Sequence, residues 1–311
     1  MLSNFTDCVI SKKTVHYHIM DTIKYTFTAS CADKSGLIAA ITQTIAAAGG
    51  NILNLAQHTA VDIGKFFCRV DFAVSVGHNS ELTKSVFTSE SFKEIFDETA
   101  KQFDMTWHLF RADEKQRMAV LVSKTSHCLY EVLLKHQDGQ LHCDIPVIIS
   151  NHPDLCSIAT EFHIPFYQVD PAKGKAAYEA DLSSILSEYR IDLVCLARYM
   201  QILSPEFTRT WNNKIINIHH GFLPAFKGAK PYHQAWHKGV KLIGATAHFA
   251  NEDLDQGPII YQDVIQVQDT NSIEEFVRMG KDVERHVLVE GLKRYFNHSI
   301  FIHEGRTFIL E

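Results

Sequence analysis

The stretch Ile191-Asp192-Leu193-Val194-Cys195-Leu196-Ala197 decides the class of fold for the larger part of this chain. It is a short, strongly apolar run that predicts a buried strand, and it follows a helix predicted over residues 174–189. Strands and helices alternate in this way from Met118 onward. The further elements of this series are strands predicted over 118–123, 145–150 and 166–169 and helices predicted over 126–136 and 153–162. The alternation predicts βαβ units with a mostly parallel sheet, which binds ligands at the carboxyl ends of its strands.

The series continues toward the end of the chain with longer strands and a long helix. Strands are predicted over 214–219, 242–249 and 259–267, and a helix is predicted over 272–295. A closing hairpin is predicted over 299–303 and 307–310, across the turn Glu304-Gly305-Arg306. Residues 118–311 are therefore expected to form one Rossmann-like α/β domain.

The first part of the chain has a different order of elements. Strands are predicted over 23–29 and 105–111, helices over 37–48 and 80–103, and a hairpin over 52–60 and 65–76. This order, βαββαβ, assigns residues 23–111 to a separate, smaller domain. The polar stretch 112–117 is the predicted linker, and residues 1–22 are a predicted N-terminal extension.

The composition argues against several classes of protein. The 311 residues are 46% hydrophobic, which allows a sizeable core, and the formal net charge of -6 argues against a broad nucleic-acid surface. The seven cysteines form no C-x-x-C pair, and the 18 histidines show no recognisable zinc spacing, so we expect no metal. The polar N-terminus lacks an apolar signal segment, and no stretch is long enough to span a membrane. The expected compartment is the cytoplasm, with no membrane partner.

Two polar side chains share one face of the strand predicted over 214–219. Successive side chains of a strand point to opposite faces, so Asn217 and His219 lie together, whereas His220 would point away if the strand continued. The loop over 221–228 is punctuated by glycine and proline, which suits the close approach of a ligand. An amide and an imidazole are thus expected together at the carboxyl end of a strand.

Asp255 is a candidate partner for this pair. It lies just ahead of the turn Gly257-Pro258, between two predicted strands. As a functional residue it would be an acid/base group or a carboxylate that pairs with His219. The alternative is a solvated turn residue that hydrogen bonds to the local backbone, which is the commoner role of an isolated aspartate in a turn.

The first domain resembles the ACT family. The resemblance is carried by Cys31-Ala32-Asp33-Lys34-Ser35-Gly36-Leu37-Ile38, Gly50-Asn51-Ile52, Gln57-His58 and Phe66-Phe67-Cys68-Arg69-Val70. It implies a ferredoxin-like regulatory domain that binds a small effector, often an amino acid, at Asp33, Gly36 and Leu37 and between paired domains. A homo-oligomer is implied as well. The alternative is a packing or dimerisation module that binds nothing, because fold alone does not determine function.

The whole arrangement resembles the folate-dependent formyltransferases and, among them, the formyltetrahydrofolate deformylases. The resemblance covers residues 23–311 and is carried by Asn217-Ile218-His219-His220-Gly221-Phe222-Leu223-Pro224, by Asp255-x-Gly257-Pro258-Ile259 and by the stretches 196–204, 231–235 and 244–249. It implies hydrolysis of 10-formyltetrahydrofolate to tetrahydrofolate and formate, which supplies formate for purine synthesis and balances the one-carbon folate pools. Folate is then a substrate, and no prosthetic group is implied.

The resemblance also implies roles for particular residues. Asn217, His219 and Asp255 are the expected catalytic residues. Asn217 and protonated His219 would donate hydrogen bonds to the formyl oxygen, while Asp255 would favour the protonated imidazole and relay a proton from water. The folate would be held largely through backbone groups. The expected substrate-binding residues are Tyr199, Met200, Gln201, Ile202, Leu203, Gly228 and Leu254.

Two alternatives stay open at this point. A transferase of the glycinamide ribonucleotide type must hold a phosphate, yet the stretch Ser123-Lys124-Thr125-Ser126-His127-Cys128 has no glycine for a phosphate loop. Lys124, Thr125 and Ser126 still offer groups to an anion. The second alternative is a catalytically silent sensor of folate or amino acids. One position departs from the family, since Gly221 stands where deformylases usually have serine.

Overall fold

A computed structural model describes residues 22–75, 87–225 and 230–311. The extension predicted over 1–22 therefore lies almost wholly outside the described residues. The helix predicted over 80–103 lies partly outside them, at its start. In the described parts of the chain the α/β class is confirmed, with a small N-terminal domain followed by a larger one.

The N-terminal domain is a four-stranded antiparallel sheet with two helices. Its elements are β1 (Thr22–Ala32), α1 (Leu37–Ala47), β2 (Asn51–Ala60), β3 (Lys65–Ser75), α2 (Ser89–Phe103) and β4 (Thr106–Arg111). The elements follow one another in the predicted order βαββαβ, and the strands lie in the sheet in the order β2-β3-β1-β4. The core is rich in aromatic rings, and Phe27 of β1 meets Phe96 of α2 with ring centroids 4.6 Å apart. Such pairs stabilise a domain beyond the area they bury.

The larger domain contains the predicted series of alternating strands and helices. Its first elements are β5 (Gln116–Val122), α3 (His127–Gln137), β6 (Cys143–Ser150), α4 (Cys156–Glu161), β7 (Phe166–Gln168), α5 (Lys175–Glu188), β8 (Leu193–Leu196), α6 (Pro205–Thr210) and β9 (Ile215–His219). They are followed by α7 (Pro231–His237), β10 (Leu242–Phe249), β11 (Ile259–Gln266), α8 (Ile273–Phe296), β12 (Ile300–His303) and β13 (Arg306–Ile309). The short helices α6 and α7 were not predicted from the sequence. Strand β5 begins at Gln116, inside the segment predicted as the linker.

The main sheet of this domain is parallel in its centre and antiparallel at one side. Its order is β11-β10-β9-β8-β5-β6-β7, with β10 antiparallel to both of its neighbours. Strand β8 is buried along its whole length, because helices cover both faces of a parallel sheet. The prediction of a mostly parallel sheet is confirmed.

The antiparallel pairing of β9 with β10 brings distant residues side by side. Asn217 of β9 lies opposite His248 of β10, and His219 lies opposite Thr246. The chain then turns back through a loop that ends at Gly257, where any side chain would collide with the carbonyl oxygen of Phe249 at 1.7 Å. Only glycine permits this close approach of two backbone segments.

The two domains are in contact around the closing hairpin, β12 and β13. Phe67 of β3 stacks on Phe308 of β13 with ring centroids 4.5 Å apart. Arg69 of β3 donates a hydrogen bond from Nε to the carbonyl oxygen of Asn297, at the end of α8. The N-terminal sheet therefore contacts the helix that lines the cavity described below. None of the helices in the described residues is both long and apolar enough to cross a membrane.

Candidate active site

The structure brings Asn217, His219 and Asp255 together. Nδ1 of His219 lies 3.2 Å from Oδ2 of Asp255, and both side chains are largely buried. Asn217 projects from the same strand as His219, as the alternation predicts. Asp255 has a backbone φ of 57°, a left-handed conformation that aspartate adopts more readily than most residues. Asp255 is therefore a turn residue that also makes a long-range contact with the imidazole of His219.

Asp255 is set up to remain a carboxylate. Burial on its own raises the pKa of this group, but the hydrogen bond from His219 and the nearby imidazoles of His219, His248 and His220 outweigh it and lower the pKa below its usual value. A carboxylate that is held charged beside His219 stabilises the imidazolium form of that ring. Nε2 of His219 is buried and has no hydrogen-bond partner among the described residues, so this ring nitrogen is left for a ligand.

His248 fixes the side chain of Asn217. Its Nδ1 lies 2.9 Å from the carbonyl oxygen of Phe249, which can only accept, so Nδ1 carries the proton. Burial lowers the pKa of His248 and keeps the ring neutral, which leaves Nε2 as an acceptor. The amide nitrogen of Asn217 lies 3.1 Å from Nε2 and donates to it. The second N–H of the amide remains available to a ligand.

These residues line a cavity of about 560 Å³. Met200, Ile202 and Leu254 are 61%, 65% and 57% exposed, so large apolar side chains meet solvent at this cavity. Tyr199, Gln201 and Leu203 line it as well, so six of the seven residues predicted to bind substrate are at the cavity. Gly228 lies outside the described residues.

The loop that follows β8 is anchored from beneath. The backbone N–H of Met200 donates to the hydroxyl oxygen of Ser123 at 2.9 Å, and that hydroxyl donates to Oδ1 of Asn151 at 2.6 Å. Ser123 and Asn151 are both buried. A loop with ordinary side chains is in this way held rigidly, as recognition through backbone groups requires.

The lining of the cavity also contains a buried carboxylate that was not predicted from the sequence. Glu284 of α8 is 1% exposed and is bonded to His127 at 2.9 Å and to the hydroxyl of Tyr232 at 2.9 Å, with Nε of Arg198 at 3.3 Å. Burial raises the pKa of Glu284, but these three partners together lower it, so it is a carboxylate. The sequence did contain a sign of this residue, because Glu284 is a charged residue on the apolar face of α8, between Val283 and Val287.

His220 lies in a different place from the one expected. The alternation of side chains predicts His220 on the face opposite His219, on the condition that the strand continues. Strand β9 ends at His219, so the alternation of faces ends there, and His220 lines the same cavity. The centroids of the two imidazole rings are 5.4 Å apart. His248 was missed as well, although a histidine inside the apolar strand β10 was a visible signal.

One group in the described residues has the composition of a metal site. The ligand atoms of His127, Cys128 and Glu284 lie within 4.8 Å of one another. Burial raises the pKa of the Cys128 thiol well above its ordinary value, which favours the protonated form. Arg198 already places a positive charge beside Glu284. A protonated thiol and an adjacent cation both oppose metal binding, so we interpret the group as a hydrogen-bonded cluster.

The residues predicted to bind an effector lie at the start of α1. Gly36 adopts a φ of 90° at the N-terminus of this helix, a conformation that favours glycine. Asp33 is exposed, and its N–H donates to the carbonyl oxygen of Gly64. The side chain of Leu37 is 2% exposed and packs in the core of the domain. Effector binding at these residues stays a prediction.

Known families match both domains. Residues 116–292 match the family model described as formyl transferase, and residues 25–82 match the ACT domain model. A formyltetrahydrofolate deformylase from Synechocystis is 42% identical over 93% of this chain and 99% of its own length. The crystal structure of a formyltetrahydrofolate deformylase from Pseudomonas syringae superposes with a TM-score of 0.86 at 38% identity, over 95% of this chain and 96% of that one.

A structure of another activity matches only part of the chain. Glycinamide ribonucleotide transformylase 1 from Symbiobacterium toebii superposes with a TM-score of 0.62 at 30% identity, and 98% of it corresponds to 66% of this chain. The deformylases, in contrast, match over both domains. The chain belongs to the formyltetrahydrofolate deformylase family.

Proposed function

We propose that this protein hydrolyses 10-formyltetrahydrofolate to tetrahydrofolate and formate, with Asn217, His219 and Asp255 as its catalytic residues. The observation that carries the proposal is the 3.2 Å contact between His219 and Asp255 beside Asn217 at one cavity. An amide, an imidazole and a carboxylate can together supply the donors and the proton acceptor that the hydrolysis of a formamide uses. Two donors stabilise negative charge on the formyl oxygen, and one acceptor takes the proton of water.

The proposed reaction needs no group beyond these side chains and water. The oxygen of water bonds to the formyl carbon, and the carbonyl becomes an oxyanion that accepts hydrogen bonds from Asn217 and from protonated His219. The bond between the formyl carbon and the folate nitrogen then breaks. One proton of the water passes through Asp255 to that nitrogen, and the other is released as formic acid ionises to formate.

Folate binding is proposed at the loop after β8 and at the loop between β10 and β11. Tyr199, Met200, Gln201, Ile202 and Leu203 would provide one side of the pterin site and Leu254 the other, and Gly228 is proposed to take part from the 221–228 loop. The anchoring of Met200 by Ser123 supports recognition through backbone groups.

We also propose a role for the ACT domain and a place for the reaction in the cell. The ACT domain would bind a small effector, an amino acid being the first class to test, at Asp33, Gly36 and Leu37, and paired ACT domains would make the protein a homo-oligomer. The reaction would take place in the cytoplasm, without a prosthetic group. The formate would supply purine synthesis, and turnover would balance the one-carbon folate pools.

The experiment measures formate and tetrahydrofolate released from 10-formyltetrahydrofolate, with and without glycinamide ribonucleotide. Hydrolysis predicts equal amounts of the two products without an amine, and no change when the amine is added. Formylated glycinamide ribonucleotide as the main product would instead identify a transferase. Folate binding without any turnover would identify a sensor.

A further inference from the structure

His220 is a polar group at the reacting end of the cavity to which the mechanism above gives no role. Its ring is half-buried, lines the cavity and lies 5.4 Å, centroid to centroid, from the ring of His219. On its other side the ring of Tyr232 meets it edge-on, with centroids 6.1 Å apart. Within the described residues, neither ring nitrogen of His220 takes part in a hydrogen bond.

Several side chains around His220 already have partners, although Nε2 of His219 and two nitrogens of Arg198 make no hydrogen bond among the described residues. Asn217 donates to His248, and Nδ1 of His219 pairs with Asp255. Glu284 accepts from His127 and Tyr232. Burying a polar group that makes no hydrogen bond costs free energy, so an imidazole left open to the cavity is a natural site for water.

The charges that face His220 determine which hydrogen bond it can make. Burial lowers the pKa of His220 to about 3, and the cations at Arg198 and His219 act in the same direction, while the carboxylates of Glu284 and Asp255 oppose them without reversing the result. The ring is therefore neutral at pH 7. A neutral imidazole has one nitrogen that accepts a hydrogen bond, so His220 can hold a water molecule at the cavity through that nitrogen.

We propose that His220 binds the water molecule that attacks the formyl group, and thereby favours water over an amine as the acceptor. This inference rests on the hydrolysis proposed above. One O–H of the water donates to His220, which directs the oxygen lone pair toward the formyl carbon held at Asn217 and His219. The other O–H gives its proton to Asp255 as the new carbon–oxygen bond forms. His220 is unchanged by the reaction, and the products are formate and tetrahydrofolate.

The test is a competition between water and hydroxylamine for the formyl group. Wild-type enzyme, His220→Leu and His220→Gln are given 10-formyltetrahydrofolate with hydroxylamine, and formate and formohydroxamate are measured in the same samples, after subtraction of the reaction without enzyme. Loss of the acceptor in His220→Leu is expected to slow formate release about tenfold, and to raise the ratio of formohydroxamate to formate by a similar factor. His220→Gln keeps an acceptor, so its rate of formate release and its product ratio are expected to lie between those of the wild type and His220→Leu.

Controls separate this role from a structural one. Tyr232→Phe disturbs the same wall by removing a hydrogen bond to Glu284, and it is expected to leave the product ratio unchanged. If His220→Leu does not fold, His220→Met, whose sulfur accepts only weakly, carries the same expectation. An unchanged ratio in a folded leucine or methionine variant overturns the inference. A wild-type enzyme that releases no formate refutes the proposed function instead, so the two failures are distinguishable.

Discussion

The amide nitrogen of Asn217 lies 3.1 Å from Nε2 of His248, on the neighbouring antiparallel strand. Because His248 has its proton on Nδ1, the amide must donate to it, and the carbonyl and amino ends of Asn217 cannot exchange places. In the proposed mechanism, the amide that presents an N–H to the oxyanion is therefore fixed by His248.

We predict that His248→Phe lowers kcat about tenfold and changes KM for the folate by less than about twofold, because the amide of Asn217 is no longer held for the transition state. The measurement is steady-state formate release. If His248 acts through Asn217, the same substitution costs little in an Asn217→Ala background. An equal loss of activity in both backgrounds would show that His248 acts independently of Asn217.

Ser123→Ala is predicted to raise KM for 10-formyltetrahydrofolate about fivefold, with little change in kcat, because the N–H of Met200 loses its acceptor and the loop is less well ordered. The matched control is Ser150→Ala, since Ser150 is also buried and its hydroxyl bonds to the backbone of Ser123 and His152 and not, among the described residues, to this loop. Equal KM values for the two variants would contradict the proposed role of the loop.

Gly221 offers a comparison of serine with alanine. A Cβ at this position would lie 3.1 Å from Nε2 of His219 and 3.3 Å from Cβ of Pro231, so both substitutions introduce a tight contact. Serine also gives the unpartnered Nε2 a hydrogen-bonding group. Gly221→Ser is therefore predicted to be more stable than Gly221→Ala by about 1 kcal/mol in the free energy of unfolding in urea. Equal stability of the two variants would show that Nε2 is not reached by the hydroxyl.

Acid is predicted to destabilise the protein through buried histidines. The ring of His298 stacks on Phe110 with centroids 3.6 Å apart, where the two domains meet. Burial lowers the pKa of His298 to about 4, and the positive charge of Arg69 adds to the effect. The unfolded chain then binds more protons than the folded one between pH 6.5 and 4, so stability is lost as the pH falls through this range.

His298→Asn removes the titrating ring and is therefore expected to reduce this loss of stability. Asparagine is chosen because it tolerates the left-handed conformation at this position, where φ is 52°. The measurement is the free energy of unfolding in urea between pH 7.5 and 4.5 for the wild type and the variant. If the free energies of unfolding of the two proteins differ by a constant amount over this pH range, His298 is excluded as a source of the pH dependence.

The sequence was sufficient for the elements and for part of the site. The period-two pattern of 214–219 placed Asn217 and His219 on one face, and this relation depends only on local backbone geometry. The contact of Asp255 with His219 depends on the pairing of β10 with β9, which joins residues far apart in the chain. Local patterns contain no information on such a pairing, so that contact was inferred from the family resemblance.

Residues whose surroundings depend on tertiary contacts could not be predicted from the sequence. Glu284 looks like any charged residue of an amphipathic helix until its partners on α3, on α7 and after β8 are known. The position of His220 was misjudged because a pattern of alternation does not show where a strand ends. Both residues line the cavity, and our proposal gives His220 the role of favouring water over other acceptors.

Formate release by the wild type and by Asp255→Asn, without an amine acceptor, tests the central claim most directly. The wild type is predicted to release one formate for each tetrahydrofolate formed. Asp255→Asn, and likewise His219→Ala, are predicted to be slower by about a thousandfold while they still fold and bind folate. Near-native rates in these folded variants would contradict the assignment of the catalytic residues.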